Sequence, residues 1–341
     1  MPAASTDQKS QIEALRVDLD QIARLAGGAI QNISTQKDVN EAIVSRLLSV
    51  EAEAKVAGIH AALEQINTRL NRIETLSHGA KAVYVGNDRL LTRMNFGNLQ
   101  LMYLVEADDL LIVPHFVMEG CFEPEVTNFF ARTIRDADHC LDVGANFGYY
   151  SCLMGKLAWR GKTLAIEPDR KIFELLRDNA LVNWLQQQIT PFHGAVADRE
   201  GTVRLYRCPR QSGNTRIINT PQESLSKQNE QQIFEVRSVT IDSLLPQLDG
   251  RIDIMKIDVE GAEPLAFRGM TETFNTNPKI QIVMEWSPEQ IQTLGFDVRQ
   301  FIADLAALGL KPYIIGRDGA AAATWDQVAN QQYLSGLLLH R

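Results

Sequence analysis

The stretch His139-Cys-Leu-Asp-Val-Gly-Ala-Asn-Phe-Gly148 decides the fold. Cys140 to Val143 reads as a short buried strand. Apolar residues bounded by turn residues suit a central strand of a parallel sheet. Gly144 and Gly148 frame a turn in which a missing Cβ lets a ligand approach the backbone. Tyr149 to Trp159 is then expected to be a helix, with its first N–H groups pointing into the turn. A crevice at the carboxyl edge of a parallel sheet is where open α/β folds bind ligands.

The turn also bears on the ligand. A dinucleotide site asks for G-x-G-x-x-G, whose second glycine admits a pyrophosphate. Here the spacing is Gly144-x-x-x-Gly148, with Asp142 two positions before the first glycine. A carboxylate does nothing for a pyrophosphate. It does attract an ammonium or a sulfonium, the more so where water is partly excluded. The pattern favours S-adenosyl-L-methionine over NAD.

Three stretches carry a family resemblance: Asp142-Val-Gly-Ala-Asn-Phe-Gly-Tyr149, Ile166-Glu167-Pro168 and Lys256-Ile-Asp-Val-Glu-Gly-Ala-Glu263. In this order they resemble the signature stretches of FkbM-type methyltransferases, class I enzymes that depend on S-adenosyl-L-methionine. The resemblance spans residues 95 to 341 and leaves out the first eighty. It implies a Rossmann-like, doubly wound α/β sheet over 139–341, closed by an antiparallel pair at its edge. It also implies that the Gly194-Ala195-Val196 loop borders the adenine.

Length and composition are compatible with this reading. A chain of 341 residues can hold one large domain and an appendage. The formal net charge is −8, spread over both ends of the chain, so a nucleic-acid backbone is not the expected partner. The four cysteines form no C-x-x-C pair, and no histidine stands at zinc-ligand spacing. Cys140 and Cys152 read as small core residues. Met1 to Ser10 is polar, without the apolar core of a signal peptide. No run approaches the ~18 apolar residues that span a bilayer. A cytoplasmic protein is the expectation.

Residues 1–80 read as a helical arm. Ile12, Leu15, Leu19 and Ile22 form an apolar seam, and Leu63, Ile66, Leu70 and Ile73 form another, interrupted at Gly27-Gly28. So narrow a stripe asks for a coiled-coil partner, whether a second copy, another protein or a hairpin of the arm itself. Residues 81–138 read as a pre-core segment: short strands at 82–85, 89–92 and 99–105, then a helix from Pro124 to Asp136. Glu123 either faces the site or caps that helix.

In the core, strands are expected at Thr163–Glu167, Ile189–His193, Ile252–Ile257 and Ile280–Glu285. Glu167, before Pro168, stands where a carboxylate accepts hydrogen bonds from a ribose diol. Asp142 is assigned to the methionine ammonium. The backbone of Gly144, Ala145 and Gly148, with Asn146, surrounds the carboxylate, and Gly194 and Ala195 the adenine. Asp258 and Glu260 are placed by the methyl group, one as a candidate general base, and Glu285 beside the acceptor. The polar loop Pro209–Gln232 offers Asn214 and Arg216 as acceptor contacts. Asp258, Glu260 and Glu263 with Glu285 also have the makings of a divalent-metal site, as hard oxygen ligands. The family signature does not itself demand a metal, and none is assigned. Asp258 could instead cap the next helix, and His193 reads as structural. The resulting expectation is O-methylation of a hydroxyl on a glycan or small molecule. The rivals are an NAD(P)-dependent oxidoreductase on the same fold and a non-catalytic coiled-coil interaction protein.

Overall fold

The computed structural model describes residues 82–118, 120–218 and 232–341. The expected coiled-coil arm lies outside the described residues, as does the middle of the Pro209–Gln232 loop.

Eight strands form the central sheet. Five are parallel: β4 (His139–Val143), β5 (Lys162–Glu167), β6 (Ile189–His193), β11 (Ile254–Ile257) and β12 (Gln281–Trp286). Three more run beside β12: β13 (Lys311–Gly316), β14 (Gly319–Ala322) and β15 (Leu334–His340). The order across the sheet is β14-β13-β15-β12-β11-β4-β5-β6. From β4 the chain builds outward first through β5 and β6, then returns to the other side through β11 and β12. The switch point therefore falls between β4 and β11, where a crevice must open at the carboxyl ends. β15 inserts antiparallel between β12 and β13, so the expected closing pair forms. The edge itself, however, is β14, a Gly-Ala-Ala-Ala segment whose sequence has no alternation to announce a strand.

Alternation along β4 sorts its side chains. Leu141 and Val143 join a core under α5 (Ile241–Leu244), α6 (Glu263–Arg268), α7 (Thr271–Thr276) and α9 (Val298–Ala307). Cys140 faces the opposite layer, made by α2 (Pro124–Thr133), α3 (Tyr149–Leu157) and α4 (Arg170–Val182). Asp142 shares the parity of Cys140. It is 1% exposed and accepts a hydrogen bond from Ser151 Oγ of α3 at 2.5 Å.

The pre-core segment holds three strands: β1 (Ala82–Gly86), β2 (Arg89–Phe96) and β3 (Leu99–Glu106), antiparallel in that order. Met94, Leu101, Tyr103 and Val105 share one hydrophobic cluster with α3 and α4. The outer edge of β3 is closed by two asparagines four residues apart, Asn179 on α4 and Asn183 just past its end. Asn179 accepts from Leu104 N at 2.6 Å and donates to Leu104 O at 2.9 Å. Asn183 does the same for Met102, at 2.8 and 2.6 Å. Two side-chain amides thus stand in for a neighbouring strand. Asn179 also donates to Phe147 O at 2.7 Å, inside the glycine turn.

A short helix, α1 (Ile112–Met118), follows β3 and was not expected, because Pro114 lies within it. Proline is tolerated in a first turn, where its N–H would have no helical partner. Asp109 starts this helix: its Oδ1 accepts from Leu111 N and Ile112 N, both at 2.8 Å. The smaller sheet β7-β10-β8-β9 is built from Ala195–Val196, Ile233–Val239, Gly201–Tyr206 and Arg216–Ile217. Among the described residues, no helix is long and apolar enough to cross a membrane.

Candidate functional site

The turn after β4 is laid across the end of β5. Ile166 O accepts from Gly144 N at 3.0 Å and from Ala145 N at 2.8 Å. This brings Asn146 N to Glu167 Oε2 at 2.8 Å, with Asn146 in a left-handed conformation at φ 51°. Glu167 Oε1 accepts from Asp169 N, also at 2.8 Å. The carboxylate is therefore fixed by two backbone donors while each oxygen keeps acceptor capacity. Burial pushes the Glu167 pKa up to about 8, against the pull of those two N–H groups.

A cavity of about 460 Å³ opens above this turn, at the switch point. Pro168, Gly194, Ala195, Val196, Leu205 and Ile217 give one end an apolar lining. At the other end stand Glu123, Asp258, Glu260 and Glu285, with Lys256 and Tyr150. Gly144, Ala145, Asn146 and Glu167 lie between them on the wall. Asn214 and its neighbours Ser212 and Gly213 line it too.

Three assigned residues do not reach the wall. Asp142 lies below the turn, bound to Ser151; its parity on β4 turns it toward α3, so it does not meet a ligand's ammonium there. Gly148 starts α3 at φ 89°, and a Cβ on it would lie 2.5 Å from Leu176 Cδ1. Its smallness serves packing against α4. Arg216 lays its guanidinium 5.6 Å from the centre of the Tyr206 ring. Gly144 also has a different reason from the one expected. A Cβ there would sit 1.8 Å from the Asp258 carbonyl oxygen, so the glycine lets the turn press against the end of β11.

The acidic end is held by specific partners. Lys256, 3% exposed, places Nζ 2.6 Å from Asp258 Oδ2 and 4.8 Å from the centre of the Tyr150 ring. The Tyr150 hydroxyl donates to Glu123 Oε2 at 2.6 Å. Glu123 occupies the residue before α2 in a left-handed conformation and makes no capping bond with its side chain. Of its two expected roles, the structure shows the site-facing one. Asp258 likewise caps nothing: the residue before α6 is Ala262. Gln290 Nε2 donates to Glu260 Oε2, and the Tyr333 phenol lies against Glu285. Glu263 turns away to accept from Val259 N and Gly261 N. His193 is satisfied by Pro168 O at 3.0 Å and packs on Phe173.

Crowding shapes the charge of this end. Burial first, then Lys256 in opposition, leaves Glu123 at about 7. Burial and the neighbouring carboxylates push Glu260 up to about 9 and Glu285 up to about 10. Burial alone would lower the Lys256 pKa, but Asp258, Glu123 and Asp142 outweigh it and hold the ammonium above its ordinary value. Such opposed shifts within one cleft are the mark of a functional site. Tyr150, Gln290 and Tyr333 were not anticipated. Nothing local marks them: Tyr150 reads as a core helix residue, and Gln290 and Tyr333 sit in polar stretches.

Residues 142–308 match the family model described as the Methyltransferase FkbM domain. Methyltransferase sdnD of Sordaria araneosa is 26% identical over 212 residues, covering 50% of this chain and 82% of that protein. Among solved structures, the O-methyltransferase from Bacillus cereus in complex with SAH shares 12% identity, with a TM-score of 0.37, over 64% of this chain and 80% of that one. The O-methyltransferase TomG from Streptomyces achromogenes, in complex with SAM, shares 16% at a TM-score of 0.34, over 63% and 77%. The three signature stretches meet at one crevice, and the family match starts at Asp142 and runs through all of them: over residues 142–308 the chain carries an FkbM methyltransferase domain.

Proposed function

We propose that the protein transfers a methyl group from S-adenosyl-L-methionine to a hydroxyl of a glycan or small-molecule acceptor. One observation carries the reading: a single cavity joins an apolar end, a clamped carboxylate at Glu167 and a carboxyl cluster, in that order along the sheet edge. The residues suit the cofactor. Glu167 keeps lone pairs for a ribose diol, and Pro168, Val196, Leu205 and Ile217 offer an apolar slot for a flat base. Asn146 and the turn backbone stand between them and the acidic end. Acidic groups outnumber cations on the wall, which suits a donor carrying positive charge.

When bound, the cofactor supplies a methyl group already activated on a sulfonium, so positioning and electrostatics are left to the protein. The chain's own contribution is to hold the acceptor oxygen among Asp258, Glu260 and Glu285 and to take its proton onto whichever of Asp258 and Glu260 is ionised. A positioned acid or base of this kind contributes on the order of 10² to 10⁴ in rate. Aromatic residues Tyr149, Tyr150 and Phe122 narrow the acceptor end and displace water from it.

Isothermal calorimetry with S-adenosylmethionine, S-adenosylhomocysteine and NADH tests the cofactor. Saturable binding of the first two and none of NADH is expected; the reverse would end the proposal. Transfer of labelled methyl from the donor to hydroxyl-bearing metabolite fractions tests the acceptor class.

A further inference from the structure

The acidic end holds more than methyl transfer requires. One oxygen from each of Asp258, Glu260 and Glu285 lies within 4.8 Å of the others. Carboxylates so close are costly unless they keep their protons or a cation joins them. Lys256 does not do so for all three. Its Nζ is committed to Asp258 Oδ2 and stands over Tyr150, on the side of Glu123.

A second observation points to a ligand. Glu285 is 9% exposed, and its Oε2 is buried without a hydrogen-bond partner among the described residues. Gln290 shows the same at Oε1, while its amide nitrogen is fixed on Glu260. Both residues line the cavity. Buried oxygens without partners are costly unless something binds them.

We propose that Asp258, Glu260 and Glu285 bind one hard divalent cation, of the Mg²⁺, Mn²⁺ or Ca²⁺ kind. The donors are all oxygen, which suits these ions and not the thiolate- and imidazole-seeking metals. Lys256 matches the charge of Asp258, so Glu260 and Glu285 supply two carboxyl groups whose protons a divalent ion displaces and whose combined charge it then balances, which a monovalent organic ammonium does not. Neighbours already orient the ligands: Lys256 on Asp258, Gln290 on Glu260, Tyr333 against Glu285. Glu263, offered by the sequence as a fourth ligand, is excluded because its carboxylate is spent on Val259 and Gly261. The ion's use, to seat an acceptor hydroxyl, rests on the methyl-transfer reading; its binding does not.

The test is a Mn²⁺ titration of the full chain, followed by the electron paramagnetic resonance signal of free Mn²⁺, with no methyl donor or acceptor present. One Mn²⁺ per chain is expected, displaced by Mg²⁺ or Ca²⁺. Glu285→Gln and Asp258→Asn should each weaken uptake about tenfold or more, and Tyr333→Phe by about tenfold, with Glu200→Gln unchanged. Should the ligand variants fail to fold, Tb³⁺ emission sensitised by the nearby tyrosines and Trp286 gives a reading on the unaltered chain. Emission that Ca²⁺ quenches is expected. No uptake at millimolar Mn²⁺, uptake undiminished in folded Glu285→Gln and Asp258→Asn, or an absence of sensitised emission overturns the proposal. So does an alkylammonium raising the melting temperature where Mn²⁺ does not. S-adenosylhomocysteine binding, measured in parallel, separates failure of this site from failure of the methyltransferase reading.

Discussion

Asn179→Ala is expected to be among the most damaging single changes outside the cavity. The side chain is fully buried and serves three backbone groups: Leu104 N, Leu104 O and Phe147 O. Truncation leaves all three without partners. A net loss of about 1 kcal/mol for each of the two Leu104 groups, and up to about 3 for the buried Phe147 O, gives a total of about 3–5 kcal/mol. Asn183→Ala is the internal control. It removes the equivalent pair at Met102, but at a partly exposed site where water replaces the amide at both groups, so about 2 kcal/mol is expected. Urea unfolding of both variants, with hydrogen exchange at Leu104, measures the difference. Because Phe147 belongs to the glycine turn, Asn179→Ala should also weaken S-adenosylhomocysteine binding, whereas Asn183→Ala should not. A loss below 1 kcal/mol in Asn179→Ala, or unaltered exchange at Leu104, would refute the view that α4 completes the edge of β3.

Glu167→Gln should lower cofactor affinity, and it should also change how stability depends on pH. The folded-state pKa of Glu167, about 8, lies above the ordinary carboxylate value. The folded state thus holds an extra proton between these values, and stability falls as pH rises from about 5 to 8; urea midpoints for Glu167→Gln should lack that share of the decline. Gly144→Ala would place a Cβ 1.8 Å from the Asp258 carbonyl at φ 79°, so a loss of about 1–3 kcal/mol and of cofactor binding is expected by melting and calorimetry. Removal of residues 1–78 should lower the number of chains per particle, read from the light-scattering mass divided by the chain mass, while the remaining chain still binds cofactor; an unchanged number would remove the coiled-coil expectation.

Much of the sheet could be read from the chain because its strands are short apolar runs ended by glycine or proline, as at Val143-Gly144 and Glu167-Pro168. Other features lay beyond such signals. Strand parity, not strand position, turned Asp142 inward, and parity has no meaning until it is known which helix covers which face. Gly144 looked like a concession to a ligand, yet the atom it makes room for belongs to Asp258, more than a hundred residues away in the chain. Tyr333 and Gln290 join the site only because the approach to β15 and the short helix α8 (Pro288–Thr293) after β12 come back to the same edge. The Ala-rich β14 carries no pattern at all.

Asp109 has a consequence for how anything enters the cavity. One of its oxygens starts α1, and the other accepts from both Ser212 N and Ser212 Oγ, at 3.0 and 2.6 Å. Leu111, Ile112 and His115 on one flank, and Ser212, Gly213 and Asn214 on the other, are thereby riveted through a buried carboxylate, beside the backbone bond from Leu110 N to Arg210 O at 2.8 Å. Neither flank can swing outward without breaking that joint, so the mouth's width on this side is a shared property of the two segments.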